Sequence, residues 1–100
     1  MRQVRWSESA LADVEAQLVH IARDDPAAAR KVALRLRETG NALGVFATGH
    51  PGRVSATYEK SVRGLPYLVV YALTHNDSTV SILRVIHTSR QWDSAGFPEG

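Results

Sequence analysis

Cysteine is absent from the 100 residues. Without a thiol the chain can hold no disulfide framework, no thiolate zinc site and no cysteine nucleophile. Long apolar runs are missing as well. No segment approaches the roughly 20 apolar residues that span a bilayer, and Met1 to Trp6 lacks the apolar stretch of a signal peptide. A cytoplasmic location without membrane contact is therefore expected. Charge of one sign is also scarce: 12 Lys and Arg stand against 10 Asp and Glu, a net charge of +2. Seven basic and six acidic groups fall in residues 1–40, five and four thereafter. A dedicated nucleic-acid binder shows a basic patch or stripe. This spread predicts no direct sequence-specific nucleic-acid binding, and an acidic protein partner explains the mild basicity equally well.

What is present suits one globular domain over residues 1–100, with 44% hydrophobic and 22% charged content and burial enough for a single modest core. Arg2-Gln3-Val4-Arg5-Trp6 alternates like a strand, with Val4 and Trp6 on one face. Ser7 is a plausible N-cap. Leu11, Val14, Leu18 and Ile21 then recur at spacings of three and four, so Glu8 to Arg23 reads as an amphipathic helix. Asp25 and Pro26 form a cap and a first helical position for a second helix, whose inward residues are Ala29, Val32, Ala33, Leu36 and Leu43. Gly40 interrupts its good helix formers at about 1 kcal/mol relative to Ala. The short connection predicts an antiparallel helix hairpin.

Thr48-Gly49-His50-Pro51-Gly52 is a cluster of breakers and reads as a loop. Thr57 to Val62, Tyr67 to Leu73 and Val80 to His87 read as strands, joined by Gly64-Leu65-Pro66 and by Thr74-His75-Asn76-Asp77-Ser78. The fold class is thus α+β: an N-terminal strand, an antiparallel helix hairpin, then a C-terminal antiparallel three-strand meander, with the helices on one face. Strict alternation puts Tyr67, Val69, Tyr71 and Leu73 opposite Leu68, Val70 and Ala72, and puts Val80, Ile82 and Ile86 opposite Leu83 and Val85. The hairpin covers one face only. An apolar strip is expected on the other, and such patches usually mark a protein-binding surface; the C-terminal tail or a self-dimer are the other possible covers.

Few groups promise chemistry. The four histidines (His20, His50, His75, His87) show no metal-ligand spacing, and no metal or cofactor is expected. No serine sits in a nucleophile-elbow sequence. The constellation worth arguing lies at the end of the last strand. Arg84 and His87, three apart, project to opposite faces of a regular strand, while Arg90 and Trp92 follow within reach of His87. RNA cleavage by 2′-hydroxyl attack needs a base, an acid and a cation, roles open to Glu59, His87 and Arg84. The plainer reading, which the sequence favours, has Arg84 paired with an acid of the fold and Trp92 covering a core edge.

Several segments, in order, resemble the ParE branch of the ParE/RelE toxin superfamily. They are Val4-Arg5-Trp6-Ser7 with Ala10 and Asp13; Asp25-Pro26 with Ala28-Ala29; Gly52-Arg53-Val54; Val62-Arg63-Gly64-Leu65-Pro66-Tyr67-Leu68-Val69-Val70-Tyr71; and Ile82-Leu83-Arg84-Val85-Ile86-His87 with Arg90 and Trp92. The resemblance implies a toxin of a type II toxin–antitoxin pair, neutralised by a wrapping ParD-like antitoxin and acting on DNA gyrase rather than as an enzyme. RelE-like relatives instead cleave mRNA on the ribosome. They typically carry Arg where this chain has Leu68, a lysine-rich second strand where it has only Lys60, and commonly a C-terminal catalytic Tyr where its motif ends in Trp92. Those departures point to the gyrase reading. Against it, many ParE-like chains have Arg where Tyr58 stands. An endoribonuclease using Glu59 and His87, or an inactive binding module, are the alternatives. Antitoxin contacts are expected at Leu68, Val70, Leu83, Arg84, Val85 and Arg90, and a toxicity-related strand end at His87, Arg90 and Trp92.

Overall fold

A computed structural model describes residues 1–89. Its elements are β1 (Gln3–Trp6), α1 (Glu8–Ala22), α2 (Pro26–Ala42), β2 (His50–Pro51), β3 (Tyr58–Ser61), β4 (Tyr67–Thr74) and β5 (Thr79–His87). They form the expected α+β arrangement, a helix hairpin on a sheet of order β1-β5-β4-β3-β2. The last three strands make the antiparallel meander, whereas β1 lies parallel to β5, with Trp6 opposite Ile82. The first strand is thus closed against the last. No helix among the described residues is long and apolar enough to cross a membrane.

Both helix starts follow from their capping residues. Ser7 Oγ accepts from the Ala10 amide at 3.0 Å and donates to the Leu83 carbonyl at 2.9 Å, so one hydroxyl caps α1 and ties it to β5. Asp25 accepts from the Ala28 amide at 3.0 Å, and Pro26 takes the first helical position. In α2, Gly40 does not break the helix. Its missing side chain makes room for Trp6: a Cβ there would meet the indole ring and come within 2.8 Å of Ile82 Cδ1. The glycine is set by packing of the first strand against α2, which outweighs its lower helix propensity.

The core joins Ala10, Val32, Leu36 and Leu43 of the helix layer to Val62, Tyr67, Val69, Tyr71, Val80, Ile82 and Val85 of the sheet. Two expectations shift. Leu11 is 54% exposed, and Ala10, fully buried, takes the interior place in the first turn; a small residue there lets the helix come close to β5. In β5 one extra residue is inserted opposite the step from Val70 to Tyr71, because Val70 pairs with Arg84 while Tyr71 pairs with Ile82. This bulge at Leu83 reverses the alternation beyond it. Val85 joins Val69 in the helix-side core, and Ile86 moves to the far face beside Leu68.

The loop read over residues 48–52 contains the two-residue strand β2, pairing His50 with Glu59 and Pro51 with Tyr58. Proline survives there because β2 is an edge, where a missing N–H leaves no ladder bond unmade. Gly49 adopts φ +123°, and a Cβ on it would lie 2.6 Å from the Glu59 carbonyl oxygen. Only glycine allows the chain that close.

Candidate functional site

The far side of the sheet is not the bare strip expected from alternation. Leu68, Val70 and Leu83 are 8%, 0% and 5% exposed. Val70 sits on the central strand, paired with Glu59 of β3 on one side and with Arg84 of β5 on the other. The chain therefore buries these side chains within itself. Val85, expected among the same contacts, lies on the helix side of the bulge.

Arg84 is held by an acid of the fold. Its Nε and Nη2 donate to the Asp13 carboxylate at 2.7 and 3.0 Å, and the same carboxylate accepts from the Val85 amide at 2.9 Å. Asp13 thereby satisfies a strand edge that β1 has stopped covering. The β1–β5 ladder ends at Trp6, Ser7 still donates its amide to Ile82, and the next edge amide is taken by the helix side chain. The charge pair is partly buried and bidentate, the strongest geometry for Arg with a carboxylate.

His87 falls on the opposite face. It stands across from Tyr67, with ring centroids 5.3 Å apart in an edge-to-face contact, and the Tyr67 hydroxyl donates to the buried Gln17. The His87 Nδ1 accepts from the Ser89 amide at 3.2 Å and lies 2.7 Å from the Ser89 hydroxyl. That assigns the ring proton of neutral His87 to Nε2. Glu59 is 3% exposed on the far face, its carboxylate accepting from the Arg53 amide at 2.9 Å and so fixing the turn before β3. Glu59 and Arg84 thus share one face, and His87 occupies the other. Arg90 and Trp92, assigned to the strand end by sequence, lie outside the described residues.

The exposed apolar groups are elsewhere. Between the helices a groove of about 180 Å³ is lined by Trp6, Leu11, Val14, Leu18, Ala33, Leu36 and Arg37. A larger one, about 580 Å³, runs between the end of α2 and β3 and is lined by Thr39, Ala42, Leu43, Phe46, Thr48, Lys60, Ser61 and Arg63. Phe46 at its mouth is 73% exposed. Sequence reading passed over this surface. Its one visible signal was Val45-Phe46, an apolar pair beyond the last inward residue of α2 and ahead of the breaker cluster.

Residues 4–92 match the family described as the ParE toxin of the type II toxin–antitoxin system parDE. The chain belongs to this toxin family. It is 34% identical to the protein Y4kP of Sinorhizobium fredii over 92 residues, covering 91% of this chain and 93% of that one. It is 35% identical to the toxin RelE2 of Caulobacter vibrioides over 91 residues, 90% and 99% of the two chains. Among solved structures, the chromosomal ParDE system of P. aeruginosa superposes with a TM-score of 0.82 at 22% identity, covering 89% of this chain and 98% of that chain. The intact E. coli RelBE complex gives 0.60 at 15% identity, covering 90% and 100%. These structural likenesses establish the ParE/RelE-like fold. The family match and the sequence relatives establish a ParE/RelE superfamily toxin.

Proposed function

We propose that this ParE-family toxin inhibits DNA gyrase by stabilising its cleaved-DNA complex, and that a ParD-like antitoxin binds and neutralises it. One observation carries the choice of target over mRNA cleavage. A phosphate-cleaving site needs its base, acid and cation around one reacting group within hydrogen-bond reach. Here Glu59 and His87 project from opposite faces of the sheet, and Arg84 is engaged by Asp13. Glu59 is also committed to the Arg53 amide. Each of these groups has a structural task that accounts for its position. The antitoxin half of the reading rests on the family and on the solved relatives, the ParDE system of P. aeruginosa and the RelBE complex of E. coli, both of which are toxin–antitoxin assemblies.

The test is expression of the toxin alone, followed by assay of purified gyrase. Growth arrest with induction of the DNA-damage response, and accumulation of cleaved DNA by gyrase in vitro, are the expected results. Immediate loss of translation with intact DNA, and mRNA cut on ribosomes in a manner abolished by His87→Ala, would overturn the gyrase reading in favour of an endoribonuclease. Harmless expression of the folded chain would leave only an inactive binding module.

A further inference from the structure

Cations that lie far apart in the sequence are gathered by the fold at one groove. The larger groove, between the end of α2 and β3, has Lys60 and Arg63 as its only charged lining residues, both positive. Arg35 reaches the same corner from α2, donating to the Arg63 carbonyl at 2.7 Å. Glu38, the one acid of α2, does not line the groove. Among the described residues no carboxylate pairs with Lys60, Arg63 or Arg35. Clustering in the fold thus supplies the basic patch that the order of residues lacks.

The same groove carries an aromatic ring held out in water. Phe46 is 73% exposed, yet its backbone is fixed: its amide donates to the Ala42 carbonyl at 3.1 Å, and its carbonyl accepts from the Thr48 amide at 2.9 Å. Thr48 is tied in turn to the sheet, its carbonyl accepting from the Tyr71 hydroxyl at 2.6 Å. The ring therefore stands on a rigid support, which lowers the ordering cost of stacking a flat group on it. Cations along a groove beside an aromatic face are the means by which proteins hold single-stranded nucleic acid: phosphates take the cations and an unpaired base stacks on the ring. A duplex keeps its bases stacked on one another and can use the cations alone. An acidic peptide can use them too, but β2 already takes the neighbouring edge of β3 at Tyr58 and Glu59, so little ladder remains for a peptide backbone to join. A polynucleotide needs none. At about 580 Å³ the groove has room for a nucleotide.

We propose that this groove binds a single strand of DNA, its phosphates on Lys60, Arg63 and Arg35 and one unstacked base on Phe46. The contact is blind to base sequence, because stacking and phosphate pairing read no base edge. The choice of DNA rests on the gyrase reading above, in which the toxin meets a cleaved duplex whose strand ends are free to unstack.

The experiment titrates the full toxin into a fluorescent oligothymidylate, and into a duplex of the same length, by anisotropy at a series of salt concentrations. The strand should bind more tightly than the duplex. Three phosphate contacts predict that affinity for the strand falls roughly 20-fold between about 50 and 200 mM salt, from a slope of about −0.7 per contact. Lys60→Gln/Arg63→Gln leaves one contact and should reduce that loss to about 3-fold by the same rule. Phe46→Ala should weaken strand binding roughly 5- to 150-fold with the salt slope unchanged, removing most of the strand's advantage over the duplex. Arg30→Gln, on α2 but outside the groove, should alter neither affinity nor slope; all four positions are at least partly exposed, so the variants should fold. A slope that the double variant leaves unchanged places the phosphates elsewhere, and a duplex bound as tightly as the strand shows that no base stacks on Phe46; either result overturns the proposal. Tighter binding of oligouridylate than of oligothymidylate overturns the choice of DNA. If wild-type toxin binds no nucleic acid but holds a polyglutamate peptide that the groove variants lose, the groove is a site for acidic peptides and the proposal falls. Strand binding as expected, with purified gyrase accumulating no cleaved DNA, leaves the groove standing and refutes the gyrase reading. Cleaved gyrase complexes formed by a toxin that binds no strand do the reverse.

Discussion

Replacing Asp13 with Ala is the sharpest probe of how α1 is fastened to the sheet. The carboxylate accepts from the Val85 amide and from two nitrogens of Arg84. Val85 is buried, so its unpaired N–H alone costs about 1–3 kcal/mol. The ion pair keeps some contact with water, 25% and 17% for the two side chains, and its loss adds about 0.5–1 kcal/mol. Asp13→Ala should therefore destabilise the fold by about 1.5–4 kcal/mol, roughly 6–30 °C in Tm for a domain of this size. Asp13→Asn keeps an oxygen for the Val85 amide and should cost about half as much by the same reckoning. Glu15→Ala, exposed on the same helix, should stay within about 0.5 kcal/mol. Chemical denaturation of the three variants gives the ranking. An Asp13→Ala protein within 0.5 kcal/mol of wild type, measured against the threshold for ordinary surface changes, would refute the claim that a helix carboxylate serves as the edge partner of β5.

Gly40→Ala should destabilise by about 1–3 kcal/mol despite better helix propensity, because its Cβ meets Trp6 and Ile82; a stabilised variant in thermal unfolding would show that the indole does not pack there. Ser7→Ala removes both the α1 cap and the bond to Leu83, an expected loss of about 1–2 kcal/mol readable by urea titration. Burial raises the Tyr71 pKa above 10.0, helped by the neighbouring Tyr58 and opposed by Arg2. The unfolded chain then releases this proton first, so stability is complete below pH 10.0 and falls as pH rises through 10.0 toward the raised value. Tyr71→Phe should flatten that alkaline decline, at the expense of the hydroxyl's bond to Thr48; an unchanged slope in denaturation against pH would count against it.

Much of the architecture was legible because local chemistry and tertiary packing agree. Ser7, Asp25 and Pro26 start helices where capping rules place them, and both long strands appear within a residue or two of their apolar runs. The pairing of Arg84 with an acid was also anticipated, although nothing local named Asp13, 71 residues away. The candidate site was less legible. Alternation placed Val85 and Ile86 on the wrong faces because the bulge at Leu83 depends on how β4 and β5 register, which a single strand does not encode. Alternation along single strands also does not reveal that the far-face residues Leu68, Val70 and Leu83 are buried, because burial depends on how the whole chain packs.

The groove beside β3 shows the same division. Phe46, Lys60, Ser61 and Arg63 are separated in sequence and meet only once α2 has packed over the sheet and β2 has ended early. The sequence by itself determined where helices begin, which segments extend and which superfamily the chain joins, since these depend on short-range caps, periodicities and motifs. Tertiary structure decided the parallel return of β1 to β5 and the reversal at Leu83. Each of those follows from which backbone donors and acceptors find partners across the fold, and pairings between distant segments are settled only when the whole sheet closes.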